Sequence, residues 1–437
     1  MWKRSWFRWT VRCVALVLLA LLAVALYYRS RGADELAEAS KEFEAKVGPL
    51  DPAAYQPKRV RDEENGAVWL LAGAQAAVVF EREREGLRSL VDTPTSQWTK
   101  EQADLAKRVL ESNTPALTLL RRSQGTNVCN LEAAISDEGK HGLQFIMAAR
   151  LLVADCRDAL RQSDMDRFFS SAEALRTLAS AQEGEAELIE ALIGSYSERL
   201  LLPVIQEAAS APALEASSIK RLDALVPAVD LMKTMRRSLG YETAAMVDRI
   251  SGGWEEQYLG IKLGQVERLP LWTIGDSDLA YALRIRMNAL EPASQPYARR
   301  GAQKPASHRP ALFPSRWWGS VDLYQWDSRG TTAGRFQETL ALRQMTALGL
   351  EVRRAGLERG AYPTDLSAFP GAKIPDPFSG KLLAYTLHPD GSATLAVPDA
   401  DALCKKLTEG KRAAIGFTWT LPPVITGKPS SSPHPAK

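Results

Sequence analysis

The sixteen residues from Cys13 to Tyr28 (CVALVLLALLAVALYY) contain no charge, and that run constrains the chain more than any other feature. Lys3, Arg4, Arg8 and Arg12 stand directly before it. Arg29 and Arg31 follow, and then the acidic Asp34, Glu35 and Glu38. Backbone polar groups in a bilayer must be satisfied within the segment, so such a run predicts a helix. Basic residues resist translocation, which predicts a cytoplasmic N-terminus and an exported body. Trp2, Trp6 and Trp9 on one side and Tyr27 and Tyr28 on the other occupy positions typical of interfacial aromatic belts. The rival reading is a cleaved signal, for which Ala23-Val24-Ala25 supplies an A-x-A pattern. The apolar run continues through Leu26, Tyr27 and Tyr28, where a signal peptide turns polar. Val11 and a snorkelling Arg12 lengthen the run toward the roughly 17–25 residues that a span needs. The expectation is an uncleaved single-pass anchor in the inner membrane, with a periplasmic body.

At 437 residues the chain is long enough for several domains. It carries 55 Lys and Arg against 52 Asp and Glu; without the four basic residues before the apolar run, 51 remain. A body so balanced offers no basic field for nucleic acid. Four cysteines are few for a disulfide scaffold. Cys129 and Cys156 form the candidate disulfide of an oxidising compartment, with two buried thiols as the other reading.

Asp34 to Val47 reads as a short amphipathic stalk helix ended by Gly48 and Pro49, and residues 31–61 as stalk and linker. Residues 62–290 read as an all-helical, hairpin or solenoid-like domain. In it a helix carrying Val68, Leu71, Val79 and Phe80 runs on into EREREGLRSL. Thr99 with Gln102 forms a capping box, Ser163-Asp164 separates two helices, and Pro203 kinks a third. Residues 291–334 read as a Pro- and Trp-rich linker, in which Trp317, Trp318, Tyr324 and Trp326 form a candidate interaction patch. Residues 335–421 read as a small α+β module. It comprises a helix from Arg335 to Arg359 ended by Gly360, then two strands, KLLAYTL and SATLAV, around Asp390-Gly391. Residues 422–437 read as a disordered tail. The fold class is therefore mainly α, with a transmembrane helix, a helical domain and a C-terminal helix plus β-hairpin.

Between that helix and that hairpin lie Tyr362-Pro363-Thr364-Asp365-Leu366 and Asp376-Pro377-Phe378-Ser379-Gly380. In order and spacing this resembles the C-terminal half of type II secretion major pseudopilins, over about 80 residues. The resemblance implies structural roles for Tyr362, Pro363, Asp376, Pro377 and Gly380. It would also place a calcium loop near Asp399 and Asp401, the two weak metal candidates, although no complete oxygen-rich loop stands there. The family's leader and N-terminal helix have no counterpart here. The helical region, with ALRQSDMDRFFSSAEALRTLA and ELIEALIGSYSERLLLPVI, resembles uncharacterised single-anchor bacterial envelope proteins.

Catalytic motifs are missing. The histidines are His141, His308, His388 and His434, with no HExxH, CxxC, Walker A, GxGxxG or GxSxG pattern. Ser217-Ser218-Ile219-Lys220 matches S-x-x-K without its companion motifs and reads as a helix start. No cofactor is expected. The function read from the sequence is a non-enzymatic, anchored envelope protein engaged in protein interaction or assembly. The alternatives are a minor pseudopilin-like component of a secretion or pilus machine and an envelope hydrolase with a dispersed carboxylate site.

Overall fold

The computed structural model describes residues 2–56, 60–124, 129–131, 142–211, 214, 216–251, 268–293, 295–299, 331–408 and 415–424. The chain is mainly helical and divides into two compact units.

The first unit comprises Met1–Tyr55 and Leu239–Pro292. Its principal element, α1 (Trp2–Lys46), is one unbroken helix of 45 residues. The stalk is therefore not a separate short helix: anchor and stalk share one axis, because no Gly-Pro break precedes Gly48 and Pro49. The apolar part of α1 is long enough to cross a membrane, with a mean hydropathy of 2.4, and none of it is buried. Beyond Tyr28, Gly32, Ala39 and Phe43 are buried at coiled-coil spacing. They meet α11 (Arg268–Ala293), and Ala39 and Phe43 share a core with Ala280, Leu283 and Met287. A β-carbon at Gly32 would lie 2.9 Å from Ser277 Oγ, so only glycine permits this closeness.

The second unit comprises Gln56–Ser238, Ala293–Gly301 and Gly330–Lys437. Its short helices are α2 (Ala67–Ala76), α3 (Glu81–Asp92), α4 (Lys100–Ser112) and α5 (Thr114–Arg122). They surround the longer α6 (Gly142–Arg161), α7 (Met165–Gly184) and α8 (Leu188–Ala209). Next come α9 (Ala216–Leu225) and α10 (Leu231–Ser251), the last of which runs beyond Ser238 into the first unit. The capping box at Thr99 forms as read, with Gln102 N donating to Thr99 Oγ1 at 3.2 Å and Thr99 N to Gln102 Oε1 at 2.8 Å. Asp164 caps α7 by accepting from Arg167 N. The helix expected to run from Val68 into EREREGLRSL is two helices, α2 and α3. Asn113 breaks it, accepting from Val78 N at 2.7 Å and donating to Val78 O at 2.8 Å, and so holds the link extended.

The long helix α12 (Thr331–Arg359) is buried on most sides, by α8 and α9 on one flank and by a sheet on the other. The sheet is antiparallel, in the order β1 (Ala384–Leu387), β2 (Ala393–Ala396), β3 (Thr418–Leu421). Leu387 pairs with Ala393, and Ala393 with Leu421. The hairpin turns on Gly391 at φ 80°, where His388 N donates to Ser392 O at 2.8 Å. The expected hairpin thus gains a third strand and a helix, α13 (Ala400–Leu407). The third strand has a simple physical basis. Trp419 and Leu421 alternate with exposed Thr418 and Thr420, and the Trp419 ring closes directly over Gly349, where a β-carbon would lie 2.0 Å away. One hydrophobic core runs from Leu70 through Phe145, Phe168 and Leu201 to Met345, Phe378 and Trp419. Burial of each such side chain contributes about 1.5–3 kcal/mol.

Candidate functional site

The residues of the Tyr362-Pro363 and Asp376–Gly380 segments are the mortar of this second unit. Tyr362 OH donates to Pro422 O at 2.7 Å, while Arg353 Nη1 donates to Tyr362 OH and, at 3.1 Å, to Pro422 O. Pro363 O accepts from Tyr385 OH at 2.6 Å. Asp376 is wholly buried, and its Oδ1 accepts from Phe378 N at 3.0 Å and Ser379 N at 2.7 Å. Gly380 closes that turn at φ 72°, donating to Asp376 O at 2.8 Å. Pro377 O and Phe378 O then receive Tyr297 N and Ala298 N, and the Tyr297 ring stacks on Phe378. Each of these residues fixes chain to chain.

Asp399 and Asp401 are engaged by lysines. Lys381 Nζ lies 2.6 Å from Asp399 Oδ2, and Lys405 Nζ 2.7 Å from Asp401 Oδ2. Asp399 is the left-handed residue that starts α13. No group of three or more His, Cys, Asp or Glu capable of holding a metal occurs among the described residues. No disulfide joins Cys129 and Cys156. Cys156 is sealed inside α6 with its Sγ toward Phe168 O, and burial pushes its thiol well above the ordinary range. Trp317, Trp318, Tyr324 and Trp326 lie outside the described residues.

Two sets of buried charges brace the helices. On α6, Asp155 takes Arg121, Arg167 and Ser171, and Asp158 takes Arg161 and Arg167. Arg157 reaches Glu207 at 3.2 Å and caps Leu90 O at 2.8 Å. Between α7 and α8, Glu183 lies beside Glu198, to which Arg343 of α12 is bonded. Glu183 is raised to about 9, by burial first and then by the charge of Glu198. At 3% and 0% exposure, Glu183 and Glu198 are paired carboxylates sealed from any substrate.

One opening that reaches solvent lies within the second unit, between α3, α6, α8 and α12. It is a cavity of about 450 Å³. Val91, Leu192, Leu200, Pro203 and Ile415 give it apolar walls, and Arg88, Arg150, Arg199 and Arg335 give it four cations against Asp92 and Glu338. Helical spacing produces the grouping: Tyr196 and Arg199 on α8, and Arg335 and Glu338 on α12, are each three apart and share a face. Glu338 is wholly buried and serves two arginines, with Arg199 Nη1 at 3.1 Å and Arg335 Nη1 at 3.6 Å. Its other oxygen accepts from the Cys404 thiol, which burial raises to about 11 and so keeps protonated. One carboxylate cannot neutralise two guanidinium groups. The proton affinity of Arg199 is lowered by burial, and that of Arg335 by burial and then by the charge of Arg199. Arg150 donates to Tyr196 OH at 3.0 Å, and Arg150 and Arg199 both stack on the Tyr196 ring. Arg150 pairs with no carboxylate among the described residues. At the rim, Arg88 stands 3.8 Å from Asp92, a carboxyl that partial burial raises.

Such a cleft presents planar, forked donors around an aromatic face, with apolar surface beside them. That arrangement holds a carboxylate or phosphate and its apolar neighbour. Among the described residues its lining contains no nucleophile–base pair. Sequence reasoning passed over these arginines because each lies in a separate charged helix face, and α12 follows α8 by more than a hundred residues. In comparisons with known proteins, no family model matches the chain, nor does any curated protein or any solved structure.

Proposed function

We propose that this chain is a membrane-anchored, non-catalytic binding protein of the cell envelope whose arginine cleft captures an anionic segment of a partner protein. The observation that carries the reading is the unbalanced charge of the cleft: four arginines against two carboxylates around one partly apolar cavity. Cations around an apolar pocket, with Arg199 the most buried of them, make an anchor point for a partner residue. The basic flank before Cys13 supports an N-terminus in the cytoplasm, an inner-membrane span and a periplasmic body.

The test is a photoreactive residue at Leu192 in the full chain in native membranes. A discrete protein adduct that disappears in Arg88→Glu/Arg150→Glu supports the reading. Absence of an adduct, or an adduct indifferent to those charges, overturns it.

A second reading, a minor component of a secretion or pilus-like machine, draws on the order of α12, Tyr362-Pro363, the Asp376–Gly380 turn and the hairpin. Cross-linking to pseudopilins of the same cell supports it.

A further inference from the structure

Along α8 the cleft is lined by one stripe, in which Leu192, Tyr196, Arg199 and Pro203 recur at intervals of four, three and four. At 1.5 Å per residue the stripe is about 16 Å long, with the polar pair in the middle and an apolar side chain at each end. The charges are graded in depth. Glu338 is wholly buried, the Arg199 side chain is 18% exposed, that of Arg335 36%, and that of Arg88 at the mouth 55%. Four arginines less two carboxylates leave two positive charges in the lining. One belongs to the floor, where Arg199 and Arg335 share Glu338. The other is Arg150, which lies over the Tyr196 ring. Arg88 and Asp92 offset each other at the mouth.

Size limits what can enter. The cavity is about 450 Å³, whereas one helical turn, 5.4 Å long and about 10–12 Å across, fills about 400–600 Å³. A helix therefore touches only the mouth, and a short extended end of chain reaches the floor. Chemistry favours the end itself. To bring an internal Asp or Glu to Arg199, peptide groups on both sides of it must enter, against Leu192, Leu200 and Pro203, where no partner awaits them. At a C-terminal residue the carboxylate and the side chain diverge from one Cα, and the chain leaves in a single direction. One residue thus serves the arginine forks and the apolar walls together.

We infer that the cleft takes the C-terminal end of a partner polypeptide, with its free carboxylate on Arg199 and Arg335 and an apolar last side chain against the α8 walls. An acidic side chain one place earlier meets Arg150. The inference names the anionic segment of the proposed function and rests on that reading.

The experiment uses the full chain in phospholipid nanodiscs, immobilised through the disc. It is offered a pool of N-acetylated hexapeptides randomised at the last three positions, made as free acids and, isotope-labelled, as C-terminal amides. Mass spectrometry identifies what is retained. The expected result is an acid-to-amide ratio of about tenfold or more. The retained acids should end in Leu, Ile, Val, Met or Phe, with Asp or Glu enriched one place before. Arg335→Gln should bring the ratio toward one, and Leu192→Asn should erase the preference for an apolar last residue. Each variant is read only where its circular dichroism is unchanged, and the two probe different halves of the site. Equal retention of acids and amides, lost in Arg88→Glu/Arg150→Glu, overturns the chain-end inference and leaves anionic capture standing. Retention of no peptide overturns the inference, and the photoadduct at Leu192 then decides the broader reading alone.

Discussion

Arg343 of α12 grips both carboxylate oxygens of Glu198 on α8, Nε donating to Oε1 at 2.6 Å and Nη2 to Oε2. Both side chains are buried, and the pair is one of several links between these helices. Ser195 Oγ meets Thr339 Oγ1 at 2.8 Å, and Gln206 Nε2 donates to Thr346 Oγ1 at 2.8 Å. The C-terminal segment is therefore specified against α8 by polar registration as well as by apolar packing.

Arg343→Met leaves Glu198 buried without its cation. We expect a loss of about 3–5 kcal/mol in urea unfolding. The double variant Arg343→Met/Glu198→Leu recovers most of that loss, because both charges are then gone.

Glu183 gives the fold a pH dependence. Its folded value of about 9 lies above the 4.5 of a free glutamate, so the native state keeps a proton that the unfolded chain releases. Stability attributable to this group is undiminished below about pH 4.5 and falls as the pH rises toward 9. Glu183→Gln holds the neutral form at every pH. Its urea midpoint should match the wild type at pH 4.5 and exceed it at pH 8.5.

Asn113 is 1% exposed and brackets both backbone groups of Val78. Asn113→Leu strands those groups and should cost about 1–3 kcal/mol, with faster amide exchange between α2 and α3 as the local sign.

Asp376→Ala removes the acceptor of two buried backbone donors and should cost about 1–3 kcal/mol. Asp376→Asn keeps an acceptor at Oδ1 and should retain most of the stability, which chemical denaturation can read directly.

Gly32→Leu forces α1 away from Ser277. Deuterium exchange along α11 should rise near Ser277, at a cost of about 1–3 kcal/mol from overpacking, while the second unit is unaffected.

The elements legible in the sequence were those marked by local chemistry. The Thr99–Gln102 box, the Ser163-Asp164 break, Gly360 after the long helix and the Asp390-Gly391 turn each act within a few residues, and each stands where the pattern puts it. The misreadings involve partners distant in sequence. Nothing near Val78 announces that Asn113 will hold it extended. Trp419 finds its place through Gly349 and Ser210, to whose Oγ its Nε1 donates at 2.9 Å. The cleft was illegible for the same reason, since Arg150, Arg199 and Arg335 come together only after three helices have packed.

On the proposed reading of α1 as a membrane span, its unbroken axis makes bilayer thickness a mechanical input. Fifteen residues separate Tyr28 from Phe43, which is about 22 Å of rigid shaft above the apolar edge. A span that tilts by about 20° to fit a thinner bilayer carries the Phe43 end sideways by about 8 Å, and α11 travels with it. An anchor of this form is also a lever, and would convert lipid composition into the position of whatever is packed against its upper half.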